Sequence, residues 1–119
     1  MDKFEDLQAF SAVVETGSFT AAAERLAEAG ADILGSNCGN GIENMISIAG
    51  EFRAATDLPL LIQANAGLPE LREGKLVYPE TPEFYAAKAR ELIDAGVSII
   101  GGCCGTGPDH IRALRALIH

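Results

Sequence analysis

Apolar positions recur in this chain in two rhythms, and the changes of rhythm mark out its elements. From Asp2 to Glu15, Phe4, Leu7, Ser11 and Val14 fall at helical intervals, with Phe10 and Val13 widening the stripe. Gly17 and Ser18 punctuate that segment as a C-terminal glycine and an N-cap. A second, alanine-rich helix is predicted from Phe19 to Ala29, stopped by Gly30. The pattern then shortens. Asp32 to Gly35 reads as a strand, followed by a helix face of Ile42, Met45, Ile46, Ala49 and Phe52. Leu58 to Asn65 reads as a second, mostly apolar strand, and a long loop with Pro69, Gly74 and Pro79 leads on from it. A helix from Pro82 to Ala95 ends at Gly96, and Val97 to Gly101 is a third strand. Pro108 opens the last helix, through Ile118, with proline in a favoured first-turn position. Strands of the buried type alternating with helices predict parallel βαβ units in an α/β fold.

Two phrases repeat in outline, Ala29-Gly30-Ala31-Asp32-Ile33-Leu34-Gly35 and Ala95-Gly96-Val97-Ser98-Ile99-Ile100-Gly101. Each runs from helix end through glycine and strand into a cysteine-bearing turn. The turns hold Cys38 and the vicinal pair Cys103-Cys104, at the carboxyl ends of strands where α/β folds keep their chemistry. Three thiolates converging there form a zinc site with an open fourth position. Neighbours in a regular strand face opposite ways, so Cys103 and Cys104 share a ligand only where Gly101, Gly102 and Gly105 let the backbone turn irregular. Two other readings compete. Free cysteine often fills core space, and an adjacent pair can be redox-active or strained. With no Cys-x-x-Cys and no histidine at ligand spacing, the pattern is not a zinc finger.

Composition narrows the classes. The chain has 119 residues, of which 48% are hydrophobic and 22% charged, which suits one small soluble domain. A net charge of −8 argues against nucleic acid or an anionic membrane as partner. No apolar run approaches the roughly 20 residues of a membrane span. The acidic, mixed start is unlike a secretory signal. Three cysteines, an odd count, point away from a disulfide framework and toward a reducing cytoplasm.

The segment from Leu26 to Ile118 resembles the C-terminal part of the homocysteine-binding barrel of cobalamin-dependent methionine synthase and of the betaine– and S-methylmethionine–homocysteine methyltransferases. The resemblance rests on Gly35-Ser36-Asn37-Cys38-Gly39, Gln63-Ala64-Asn65-Ala66-Gly67-Leu68-Pro69, Val77-Tyr78-Pro79 and Gly101-Gly102-Cys103-Cys104-Gly105-Thr106. It implies a TIM barrel, of which three of eight strands are present, and zinc held by Cys38, Cys103 and Cys104. Homocysteine is the partner it implies, its thiol deprotonated on the metal before attacking an electrophilic methyl group. Gln63 and Asn65, taken to share a strand face with Leu61 inside the barrel, are candidates for contacting the substrate or for supporting the metal ligands from behind; the competing reading is that they satisfy backbone groups at a strand end. With most of the barrel and any methyl-donor domain missing, turnover is not expected.

Three further features have plainer readings. His110, one turn into the last helix, reads as a surface residue rather than a ligand. The turn Gly105 to Asp109 is able to hold an anion, but Asp109 there already complements the helix dipole. Residues 1–26 resemble the first two helices of a LysR-type regulator, through Met1-Asp2-Lys3-Phe4-Glu5-Asp6-Leu7-Gln8-Ala9-Phe10 and Gly17-Ser18-Phe19-Thr20-Ala21-Ala22-Ala23-Glu24-Arg25-Leu26. No recognition helix follows, so DNA binding is not expected. The resulting expectation is a chimera, recombined or engineered, joined near Leu26. Its open sheet would be covered by the N-terminal helix (Phe4, Leu7, Phe10, Val14), as a small α/β sandwich, or by a second copy in a homodimer.

Overall fold

Ser18 starts the first helix by accepting a hydrogen bond from the amide of Thr20 at 3.1 Å. The structure, a computed structural model, describes residues 18–118. Helix α1 (Phe19–Glu28) leads into β1 (Leu34–Cys38), α2 (Ile42–Ala55) and β2 (Leu60–Ala64). A hairpin of β3 (Glu70–Arg72) and β4 (Lys75–Val77) precedes α3 (Pro82–Asp94), β5 (Ile99–Gly102) and α4 (Pro108–Leu117). The expected helix from Asp2 to Glu15, with the cover it was to supply through Phe4, Leu7, Phe10 and Val14, lies outside the described residues.

The main sheet is parallel with order β1-β2-β5. Its register aligns Gly35, Leu61 and Ile99 in one row and Asn37, Gln63 and Gly101 in another. The period-2 alternation of strands decides what each face does. Leu34, Leu60, Ile62 and Ala64 are buried on one face, in one cluster with Ile42, Met45 and Phe52 of α2 and Tyr85, Ala89 and Leu92 of α3. Each fully buried aliphatic side chain there contributes roughly 1.5–3 kcal/mol relative to exposure. The opposite face carries Gly35, Asn37, Leu61 and Gln63, and Ile33 and Ile99 remain 50% and 42% exposed. The fold is thus α/β, with the described helices layered on one side of a small sheet.

Arg53 gathers the end of the sheet away from the cysteines. Its guanidinium donates to the carbonyls of Gly96 (3.1 Å), Thr56 (2.5 Å) and Leu58 (2.8 Å). One side chain therefore ties the end of α2 to the loops that enter β2 and β5.

Two departures from the sequence reading bear on the site. Strand β1 runs to Cys38 rather than stopping at Gly35, because Ser36 and Asn37 keep their backbone in register with Ile62 and Gln63 whatever their polarity. The long loop after β2 contains the β3–β4 hairpin. Its two-residue turn, Glu73-Gly74, has positive φ at both positions (51° and 77°). Such turns are signalled by Asn-Gly or Asp-Gly, and glutamate in the first place hides this one. No described helix is long and apolar enough to cross a membrane.

Candidate metal centre

Cys38 ends β1 with its backbone in the left-handed region, φ 67°. That conformation is uncommon for a residue with a Cβ and is typically retained where the surroundings enforce it. Here they do. The Cys38 carbonyl accepts from the amide of Asn65 (3.1 Å), and the Asn65 side chain donates to the carbonyl of Gly39 (3.0 Å).

Cys103 and Cys104 follow β5, and the backbone changes character between them. The Cys103 amide continues the ladder by donating to Ala64 (3.0 Å), whereas the Cys104 amide donates to the side-chain oxygen of Asn65 (3.1 Å). Beyond them, Thr106 turns back to the Cys103 carbonyl through both its hydroxyl (2.7 Å) and its amide (3.2 Å). Gly105 allows the turn to close. Its φ is 82°, and a Cβ there would lie 2.1 Å from Cγ of Tyr78. This is the irregular backbone that a shared ligand requires of vicinal cysteines.

The result is convergence. The sulfurs of Cys38 and Cys103 are 3.0 Å apart, and all three sulfurs lie within 4.8 Å of one another. Among the described residues they are the one group of three or more His, Cys, Asp or Glu side chains placed to hold a metal. Cys38 and Cys103 are half-buried and Cys104 is exposed. An all-sulfur donor set suits a borderline-soft cation such as zinc. Zinc–sulfur bonds of about 2.3 Å in a tetrahedral site hold thiolates roughly 3.8 Å apart, wider than the 3.0 Å between Cys38 and Cys103 and inside the 4.8 Å that bounds the three sulfurs.

Electrostatics within the cluster favour one proton arrangement. The Cys38 thiol is pushed up to about 11, chiefly by its hydrogen bond with Cys103, then by desolvation and the nearby Cys103 and Cys104 charges. Cys103 is lowered, chiefly by the hydrogen bond it receives from Cys38. The two opposite shifts favour the shared proton on Cys38 rather than on Cys103. The amide nitrogen of Asn37 adds donors at 3.4 Å from the Cys38 sulfur and 3.9 Å from that of Cys103.

The two candidate substrate contacts separate. Gln63 lies on the open face, beside Gly101, at a cavity of about 250 Å³ shared with Gly35, Ser36, Asn37 and Leu61. Asn65 lies past the end of β2, with both ends of its amide engaged by the cysteine turns. His110 is not a surface residue; it is half-buried, its ring edge-on to Tyr85 at 5.5 Å. Its Nδ1 accepts from the Gly107 amide (3.2 Å), so Nε2 carries the proton it donates to the Glu80 carbonyl (2.8 Å). With both nitrogens so used, it offers nothing to a metal. Asp109 stays exposed in the first turn of α4, paired with Arg112.

Sequence reading missed Asn37, Glu80 and Tyr85. Asn37 had a signal, being adjacent to Cys38. Glu80 and Tyr85 had none, since they act through contacts across 38 and 21 positions.

A profile of the family described as homocysteine S-methyltransferase matches residues 4–118. The chain belongs to the homocysteine S-methyltransferase family. Two methionine synthases are among the relatives of this family member, from Mycobacterium leprae (38% identical over 105 residues) and Mycobacterium tuberculosis (36% over 105 residues). Each alignment covers 87% of this chain, but only 8% and 9% of those proteins. An S-methylmethionine–homocysteine S-methyltransferase of Pongo abelii is 38% identical over 109 residues, 77% of this chain and 30% of that protein. The family match begins at residue 4 and so takes in most of the segment that resembles a LysR-type start. The regulator half of the expected chimera finds no support in these comparisons.

Proposed function

We propose that this chain is the zinc- and homocysteine-binding part of a homocysteine S-methyltransferase, with Cys38, Cys103 and Cys104 as the zinc ligands. The observation that supports this is the meeting of three sulfurs from turns 65 positions apart at one end of the sheet. Three protein thiolates leave one position for an incoming ligand. Bound there, zinc supplies the Lewis acidity that keeps a thiol with an ordinary pKa near 8.5 ionised at neutral pH.

The chain's own groups prepare that position. Asn65 holds the two cysteine turns in mutual register, a role we assign to it in place of direct substrate contact. Asn37 offers its amide hydrogens to the crowded sulfurs and so tempers their mutual repulsion. Gln63, on the open face below, presents an amide that both donates and accepts toward the amino-acid end of homocysteine. The cavity at Gly35, Asn37 and Gln63 is of a size for a small amino acid. The methionine synthases are many times longer than this chain, and in this reading the methyl donor is bound by other parts. The chain by itself binds without turning over.

The test is metal content and thiol titration of the protein purified under reducing conditions, followed by homocysteine titration. About one zinc per chain, shielding three thiols and binding homocysteine only when zinc is present, is the expected result. Three freely titrating thiols and no zinc would overturn it.

A further inference from the structure

Tyr85 is fully buried, yet its hydroxyl is polar and must be satisfied. It donates to the carbonyl of Ala64 at 2.7 Å and has the carbonyl of Gly101 as a second acceptor at 3.1 Å. These carbonyls belong to neighbouring strands and sit immediately below the site. Ala64 is the residue before Asn65, and its carbonyl also receives the Cys103 amide. Gly101 stands two residues before Cys103. The hydroxyl is thus a cross-strand pin at the level where β2 and β5 hand over to the turns that carry the sulfurs.

The ring is held from its other side. His110 meets it edge-on at 5.5 Å, and His110 is fixed in turn by Gly107 and the Glu80 carbonyl. Glu80 continues the connection, since its carboxylate accepts from the amide of Ile42 at the start of α2, just past Cys38. Tyr85 therefore stands in one connected set of contacts that touches both cysteine turns without touching a sulfur.

From this geometry we infer that Tyr85 is a positioning residue for the metal centre, fixing the separation of the Cys38 and Cys103 turns through the Ala64 and Gly101 carbonyls. The inference rests on the proposed zinc site. Burial pushes the phenol up to about 12, so the hydroxyl stays a donor throughout the working pH range. Groups that support metal ligands from behind typically change affinity by roughly 10–100-fold when removed, and for one hydroxyl the low end of that range applies.

The experiment measures zinc affinity by chelator competition, and the absorption spectrum of the cobalt-substituted protein, for the full chain and for Tyr85→Phe. Phe52→Leu serves as control. It perturbs the core at the far end of α2, against Phe19, and is expected to lower the melting point while leaving affinity and spectrum unchanged. Tyr85→Phe is expected to bind zinc about tenfold more weakly and to shift the cobalt bands. His110→Ala removes the ring's support but leaves the hydroxyl, and is expected to weaken zinc in the same direction by less. It also decides the matter if Tyr85→Phe does not fold. Wild-type affinity and an unchanged cobalt spectrum in the folded variants would overturn the inference alone. A wild-type chain that takes up neither metal would overturn the zinc reading with it.

Discussion

The carboxylate of Glu80 accepts a hydrogen bond from the amide of Ile42 at 3.1 Å, capping a helix that begins 38 positions earlier. Helix α2 needs this outside help because its N-cap is Gly41, which has no side chain to offer. Gly41 also makes the approach possible, since a Cβ there would lie 2.3 Å from the Glu80 carboxylate. The cap therefore fastens the Cys38 turn to the loop that enters α3.

Replacing Glu80 by alanine should destabilise the chain by about 1 kcal/mol, the usual worth of an N-cap. Glu80→Gln keeps an acceptor and should recover most of that. Denaturant unfolding of the metal-free protein checks both, and an E80A variant as stable as wild type would remove the cap from the account.

Asn65→Ala breaks two hydrogen bonds at once, to Gly39 and from Cys104. The expected loss is about 1–3 kcal/mol of stability and a zinc affinity lower by roughly 10–100-fold. Asn65→Asp retains the acceptor for Cys104 and loses the donor to Gly39, so its zinc affinity should fall between the two. If alanine lowers homocysteine binding while leaving zinc untouched, Asn65 is a substrate contact after all.

Zinc uptake should strengthen with rising pH. A thiol must lose its proton to become a ligand, and in the metal-free cluster Cys38 is pushed up to about 11. Near neutrality zinc therefore has to displace that proton, and the competition eases as pH climbs toward the Cys38 value. Cys103, whose thiol is lowered, ionises more readily than Cys38. Iodoacetamide on the metal-free protein near pH 7 should accordingly label Cys103 before Cys38, read by peptide mass mapping. Equal labelling of the two would contradict the proton arrangement.

Arg53→Ala should destabilise by about 2–3 kcal/mol, since three carbonyls lose a charged donor. Arg53→Lys should rescue little, because a single ammonium does not span three acceptors as the planar guanidinium fork does. Thermal melts check this. Zinc affinity should stay at the wild-type value in both variants, Arg53 being at the opposite end of the sheet from the sulfurs.

What could be read from the sequence follows physical range. The strands and helices from Phe19 onward, and the three cysteines, were legible because periodicity, glycine stops and strand-end placement are local signals. Cys38, Cys103 and Cys104 were expected together, and their sulfurs do meet. The β3–β4 hairpin was not legible, since Glu73 sits where a turn would announce itself with Asn or Asp. The role of His110 was misread because a helix wheel places it without showing Tyr85 and Glu80 beside it. Arg53 looks like any solvated cation on α2 until the loops at Thr56, Leu58 and Gly96 close around it.

The left-handed backbone of Cys38 has a kinetic consequence. Its turn is held by the Asn65 contacts and by the Glu80 cap, none of which involves a sulfur. Metal capture by this chain is therefore expected to be a docking event rather than a folding event, unlike small zinc domains that are unstructured when empty. Chelating the zinc should leave the circular dichroism spectrum nearly intact. Rapid mixing with zinc should give one concentration-dependent phase, with no slow step in which the turn first has to order itself.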